Sequence, residues 1–313
     1  MSASRRAVAP PRRALISTFA WLALLLCLAR FVLLQCHGRG ILPPNPGPQS
    51  PVVDPIDSAA ARPSSGRPTL PRSESISLHL RLGIPTDLDP SDDRLLDEQS
   101  FVVSYSPVKR VPNWVAWRLD RSFLGHVRRK NEFRPDPALP SELYHVTERD
   151  YWHSGYDRGH LCPSADREET PEDNASTFVF TNLQPQLHEL NAGPWERFER
   201  YERELAERPG AVLYIVAGGV FSSPFPTIGQ GVAVPAANYK IVVVLAEGQG
   251  ASDVNPQTFV VSVLMPNQKG VGQQEWTDFL TSVDAIERAT GYDFLSAVPL
   301  PVQRVIEART AQP

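Results

Sequence analysis

The sequence predicts an α+β fold. Two observations carry that expectation. Short β-branched or aromatic runs, bounded by Gly, Pro or Asn, outnumber the helical patterns. These runs do not alternate regularly with helices, as a doubly wound α/β sheet requires. No internal repeat is present.

Residues 1–36 form a leader. Arg5, Arg6, Arg12 and Arg13 precede an uncharged run from Ala14 to Ala29, and apolar residues resume after Arg30. Basic residues ahead of an apolar stretch of about 7–15 residues describe a secretory signal. With Arg30 included, Ala14–Gln35 is also long enough for a signal anchor crossing a bilayer. Either reading keeps the Arg cluster cytoplasmic and exports the rest of the chain. Residues 37–72 form a linker. Pro takes 9 of the 32 positions from Ile41 to Arg72, a composition that cannot bury enough apolar surface to fold. The folded part is expected over 73–305, with a tail at 306–313. Its predicted strands are Ile76–Leu82, Phe101–Tyr105, Trp114–Leu119, Thr177–Thr181, Val212–Ala217, Tyr239–Leu245 and Thr258–Leu264. Helices are predicted over Ala192–Glu207 and Gln274–Thr290, the second closed by Gly291.

Charge narrows the function. The 313 residues carry 31 Lys+Arg against 35 Asp+Glu, a formal charge of −4. Residues 1–40 hold six Arg and no acid, so the remainder stands at −10. That balance disfavours a stoichiometric nucleic-acid holder, which is basic over its bound face. Any polyanion is met through a local patch or a metal ion. Cys27 and Cys36 lie in the leader and Cys162 in the folded part, so no disulfide is expected within the latter.

Reactive side chains concentrate in Tyr156-Asp157-Arg158-Gly159-His160-Leu161-Cys162-Pro163. A second group comprises Asn182, Gln186, Asn191, Trp195 and Glu199. Metal-assisted attack on a phosphodiester needs these residue types. An imidazole ordinarily titrates near neutrality, so His160 suits a base. An amide oxygen such as that of Asn191 suits a hard ion that keeps its waters. Glu199, eight residues on, falls near the same helical face and suits the holding of those waters. Arg158 suits a phosphate clamp. Each residue also has a plain reading. His160 can be structural, Asp157-Arg158 an ion pair, Asn191 a helix cap and Glu199 a solvated helix residue.

The ordered series Asp157-Arg158-Gly159-His160, Thr181-Asn182-x-x-Pro185-Gln186, Asn191, Trp195 and Glu199 resembles the DNA/RNA non-specific endonuclease family. The resemblance covers nearly all of Leu78–Pro299. Leu80-x-Leu82-Gly83-x-Pro85, Asn113-Trp114-Val115-Ala116-Trp117 and Phe133-Arg134-Pro135-Asp136-Pro137 also look like its upstream segments. It implies a ββα-metal nuclease fold, with a central mixed or antiparallel sheet flanked by helices. It implies cleavage of DNA and RNA to 5′-phosphate products. His160 would be the general base, and Asn191 the protein ligand to a hydrated Mg²⁺, with Mn²⁺ able to substitute. Glu199 would hold metal waters, Asn182 would support His160 or the phosphate site, and Arg158 would act in the motif. Arg128 or Arg129 would stabilise the phosphate. Asp157, Gln186, Lys130 and Arg134 would contact substrate. Arg128, Arg129, Lys130 and Arg134, with Lys109 and Arg110, would form the local basic patch. Cys162 departs from the family's usual small residue, and reads as a packing thiol or as an oxidation-sensitive position near the base. Further partners compatible with this reading are a membrane through the uncleaved leader, a second copy in a homodimer, and a protein inhibitor.

Two other functions compete. One is a zinc module built from His153, His160, Cys162 and Asp166 or His188, although no paired ligand spacing is present. The other is a catalytically weak nucleic-acid-binding surface protein of the same fold.

Overall fold

The structure is a computed structural model that describes residues 72–313. The apolar leader and nearly all of the Pro-rich linker lie outside the described residues.

A seven-stranded antiparallel sheet organises the chain. Its strands are β1 (Arg94–Asp97), β2 (Val102–Ser106), β3 (Val111–Asp120), β6 (Ala211–Val220), β9 (Ala237–Ala246), β10 (Phe259–Pro266) and β11 (Leu280–Thr281), and they lie side by side in that order. Both faces are buried. Successive side chains on a strand point to opposite faces. Accordingly Val103, Val115 and Trp117 join one core cluster, and Val102, Trp114 and Ala116 the other. Double-sided burial is why these strands read as continuous apolar runs.

The first face is covered by a helix, Glu196–Ala206, through Phe198 and Leu205. The second is covered by the helices Val283–Thr290 and Leu300–Ile306, through Val283, Ile286 and Ile306. Outside the sheet, β4 (Asp157–His160) pairs antiparallel with β5 (Leu183–Gln186), and β7 (Thr227–Ile228) with β8 (Val232–Ala233). The chain then enters a short helix, His188–Leu190, a kinked π turn, Asn191–Trp195, and the Glu196–Ala206 helix. Trp195 Nε1 donates to the His160 carbonyl at 3.2 Å, which pins the helix to the hairpin.

Three predicted elements differ. Ile76–Leu82 is not a strand: Arg72–His79 is helical and the chain turns after Leu80. Its alternating apolar residues were outweighed by tertiary bonds at i, i+4 spacing. Ser75 Oγ donates to Asp97 Oδ1 at 2.8 Å, His79 Nε2 donates to the Gln99 carbonyl at 2.9 Å, and His79 Nδ1 accepts from the Arg118 N–H at 3.1 Å. Thr177–Thr181 forms a single parallel bridge, Arg134 to Val179, and then a 3₁₀ turn, Phe180–Asn182. That run is apolar because Phe178, Val179 and Phe180 are buried, not because it joins a sheet. Gln274–Thr290 is not one helix. Trp276–Phe279 is a 3₁₀ turn, β11 pairs with the sheet edge, and Ser282 Oγ caps a new helix by accepting from Ala285 N–H at 3.2 Å. Trp276 and Phe279 pack on one face of the sheet, and Val283 and Ile286 on the other. The helical spacing therefore spanned a crossing of the sheet edge. Gly291 does close the Val283–Thr290 helix, with φ +85°.

Candidate active site

β4 carries the site because its residues alternate. Arg158 and His160 share one face, where both meet Phe133. The Arg158 guanidinium lies 4.1 Å from that ring's centroid, and the His160 ring 5.7 Å from it. Phe178 meets the imidazole edge-on at 5.1 Å and Phe133 edge-on at 5.2 Å, so the three rings pack as a triangle. Gly159 must lack a side chain, because a Cβ there would collide with the Gln186 amide.

His160 is buried, and its Nε2 has no hydrogen-bond partner among the described residues. Burial, then the charges of Arg129 and Arg158, push its pKa down to about 3. The imidazole is therefore neutral at ordinary pH. Arg158 pairs with Glu148 at 2.8 Å. Arg129 donates to Ser164 Oγ at 3.2 Å and lies over Phe178 at 5.1 Å.

Across a cavity of about 760 Å³, Asp157 Oδ2 accepts from His188 Nδ1 at 2.8 Å and from Asn191 Nδ2 at 3.0 Å. The carboxylate demands a donor, so it commits the Asn191 nitrogen and leaves its oxygen without a partner in the cavity wall. Asn191 does not cap the helix: its own dihedrals are helical and its amide is spent on Asp157. An uncommitted amide oxygen beside a carboxylate is a hard oxygen-donor set. It fits a Mg²⁺-like cation that retains most of its waters.

Glu199 lies two turns on, buried, with its Oε1 3.8 Å from Lys240 Nζ. Burial raises its pKa to about 7, against the opposing charges of Lys240 and Arg203. Lys240 is fully buried and also meets Glu202 at 3.1 Å, with its ammonium 4.4 Å from the Trp195 ring centroid. Sequence reasoning missed Lys240. Its one signal was a lone cation inside the apolar run Tyr239–Leu245. Asp166 beneath the same helix was also missed as a structural partner. It accepts from Trp117 Nε1 at 3.0 Å and pairs with Arg203 at 3.2 Å.

The cavity wall includes Arg129, Phe133, Glu148, Trp152, Asp157, Arg158 and Asn191. Of the two arginines left open by the sequence, Arg129 lines it and Arg128 does not. Lys130 is exposed and outside the wall. Arg134 is turned away, donating to the Ala175 carbonyl at 2.6 Å. Gln186 is fully buried under Gly159, so its side chain does not reach the cavity. Asn182 is buried as well. It accepts from the Cys162 N–H at 3.0 Å and donates to the Cys162 and Thr177 carbonyls at 2.8 and 2.9 Å. It clamps the backbone that leaves His160. Cys162 is fully buried and burial pushes its thiol pKa up, as a packing thiol requires. The zinc set does not assemble. Among the described residues the one convergent group of metal-ligating side chains is Asp284, Glu287 and Glu307, none of them in that set.

A family model for DNA/RNA non-specific endonucleases matches residues 82–300. The chain is 44% identical over 242 residues to a nuclease of Nostoc sp., covering 76% of this chain and 87% of that one. It is 37% identical to the mitochondrial nuclease EXOG of Danio rerio, covering 64% of this chain and 60% of that one. It is 30% identical to mitochondrial endonuclease G of Homo sapiens, covering 66% and 71% respectively. Among solved structures, a chain from the EndoG/EndoGI complex superposes with a TM-score of 0.63 at 23% identity, covering 76% of this chain and 98% of that one. That last likeness is one of fold.

Proposed function

The chain belongs to the DNA/RNA non-specific endonuclease family, and we propose that it hydrolyses both DNA and RNA internally, with a divalent cation, to 5′-phosphate products. The observation that carries this reading is the buried His160, its Nε2 without a hydrogen-bond partner among the described residues, at the end of the strand that brings Asp157 and Arg158 to the cavity wall with Arg129 and Asn191. His160 accepts the proton of the attacking water. Arg129 and Arg158 hold the phosphate oxygens, with Phe133 and Phe178 fixing their guanidinium planes. Asn191, oriented by Asp157, would hold a hydrated Mg²⁺, or Mn²⁺ in its place, through its amide oxygen, and Glu199 would orient the ion's waters. The cation, when bound, neutralises charge on the phosphate and on the departing 3′-oxygen.

The basic-then-apolar leader supports an exported protein, secreted or anchored, with its nuclease domain over 73–305. Fractionation of cells with protease added from outside tests this, and a protected cytoplasmic pool would overturn it. The solved EndoG relative was caught with an inhibitor. A protein inhibitor of this chain, and a homodimer, stand as proposals of the same rank.

The test of activity uses closed circular DNA and single-stranded RNA, each with Mg²⁺ or with excess EDTA. Loss of both substrates with Mg²⁺ alone is expected, and His160→Ala should lower the rate by about 10²–10⁴-fold. Intact substrates that are nevertheless bound, in a salt-sensitive manner, would instead favour the binding-protein reading.

A further inference from the structure

We infer that Trp152 is a stacking platform for an unpaired base next to the scissile phosphate, so that the enzyme favours single-stranded over duplex substrate. The inference rests on the nuclease reading above and adds a substrate class to it.

Trp152 is 62% exposed, although an indole gains most from burial. Among the described residues its ring stacks on no other ring and under no cation. Trp114, Trp117 and Trp195 are by contrast buried in the core. Trp152 lines the same cavity as Arg129, Arg158, Asp157 and Asn191. A groove that sets arginines beside an aromatic wall is the arrangement that holds single-stranded nucleic acid, and here Glu148 holds Arg158 in that wall at 2.8 Å. The cations track the backbone and the ring stacks any base. Duplex bases are already stacked on each other and offer no free face.

The platform is held in place before substrate arrives. Tyr151, its neighbour, is buried against Phe180 at 5.7 Å. Trp152 N–H donates to the Arg149 carbonyl at 3.3 Å and Ser154 N–H to the Tyr151 carbonyl at 3.2 Å. Ser154 Oγ donates to that same carbonyl at 2.8 Å and accepts from Tyr156 N–H at 3.2 Å. The turn is thus tied to β4, and little ordering entropy is lost when a base stacks.

The test compares the full chain with Trp152→Ala and Trp152→Phe on a single-stranded oligonucleotide and on its duplex, with Mg²⁺. The parent should favour the single strand. Trp152→Ala should raise KM for it about tenfold with kcat unchanged, leave the duplex as it was, and be partly rescued by Trp152→Phe. In EDTA, the single strand should quench the parent's fluorescence and quench the Ala variant much less. Equal KM values for parent and Trp152→Ala, a change confined to kcat, or undiminished quenching in the Ala variant would each overturn the inference. A parent that cleaves nothing would instead overturn the nuclease reading, and the quenching experiment would still decide the role of Trp152.

Discussion

At the scale of single residues, the site depends on groups whose ordinary chemistry is altered by burial. His160 is held neutral by desolvation and two arginines. Glu199 and Glu202 are both raised by burial, with Lys240 between them opposing the rise. Removing the cation from such a cluster leaves carboxylates with no compensation. Lys240→Met is expected to cost about 3 kcal/mol of stability, read by denaturant unfolding. A cost below about 1 kcal/mol would show that both carboxyls are already protonated. Asp157 is the second residue of this kind. Asp157→Ala releases the Asn191 amide to rotate, and kcat is expected to fall at least tenfold with the fold intact by circular dichroism. Excess Mg²⁺ should restore little of it, because the fault lies in orientation. Full recovery at high Mg²⁺ would place Asp157 in simple charge attraction.

At the scale of elements, the junction of β5 with the site helix decides where Asn191 points. Asn267, on the loop after β10, accepts from Leu187 N–H at 2.8 Å and donates to the Pro185 and Pro235 carbonyls, each at 3.0 Å. One side chain thus ties the end of β5 to Pro235, two residues before β9, with its bond to Leu187 four residues ahead of Asn191. Asn267→Ala leaves buried backbone groups unpaired and should cost roughly 1–3 kcal/mol. It should also lower kcat/KM, although Asn267 does not line the cavity. Lost stability with unchanged kinetics would separate the fold's needs from the site's. The kink at Gly193 belongs to the same junction. A Cβ there would stand 3.1 Å from Gly272 Cα, so a side chain at this point would require the neighbouring backbone to give by a few tenths of an ångström.

At the scale of the whole molecule, the sheet separates two regions with different sensitivities. The first face carries the Glu196–Ala206 helix beside the candidate site. The second carries Asp284, Glu287 and Glu307, whose ligand atoms converge within 4.8 Å. Burial and then the charges of Glu287, Asp293 and Asp284 raise the Glu307 pKa to about 8. The folded state therefore keeps a proton that the unfolded chain releases above about pH 4.5, and stability falls as pH rises from there to about 8. Glu307→Gln removes that loss. Its Tm should match the parent's near pH 5 and exceed it by a few degrees at pH 9, read by thermal melts. Equal melting temperatures at both pH values would mean that water already solvates the carboxylate. Activity should not change, since the cluster lies across the sheet from the site.

The α+β class, the central strands and the cluster of motif residues were legible because each is written locally. β-branched runs make strands where neighbouring strands pair with them, as Tyr239–Leu245 does and Thr177–Thr181 does not. Asp157, His160 and Asn191 carry groups whose reactivity is a property of the side chain, and their spacing put Asn191 and Glu199 near one helical face. Other features were decided only by contacts between distant segments. Ile76–Leu82 became a helix end because Ser75 and His79 found partners at Asp97, Gln99 and Arg118. Gln274–Thr290 broke because the sheet edge runs through it. Arg129 rather than Arg128 reached the cavity, and Gln186 and Arg134 turned away from it, because a side chain's direction depends on register and packing, which spacing along the chain does not encode. Lys240 stands beside Glu199 because two strands and a helix stack there. By itself, the sequence determined which chemistry is present and roughly which residues bear it. The tertiary structure decided which groups are desolvated, paired or left free, because burial and electrostatic fields arise between segments far apart in the chain.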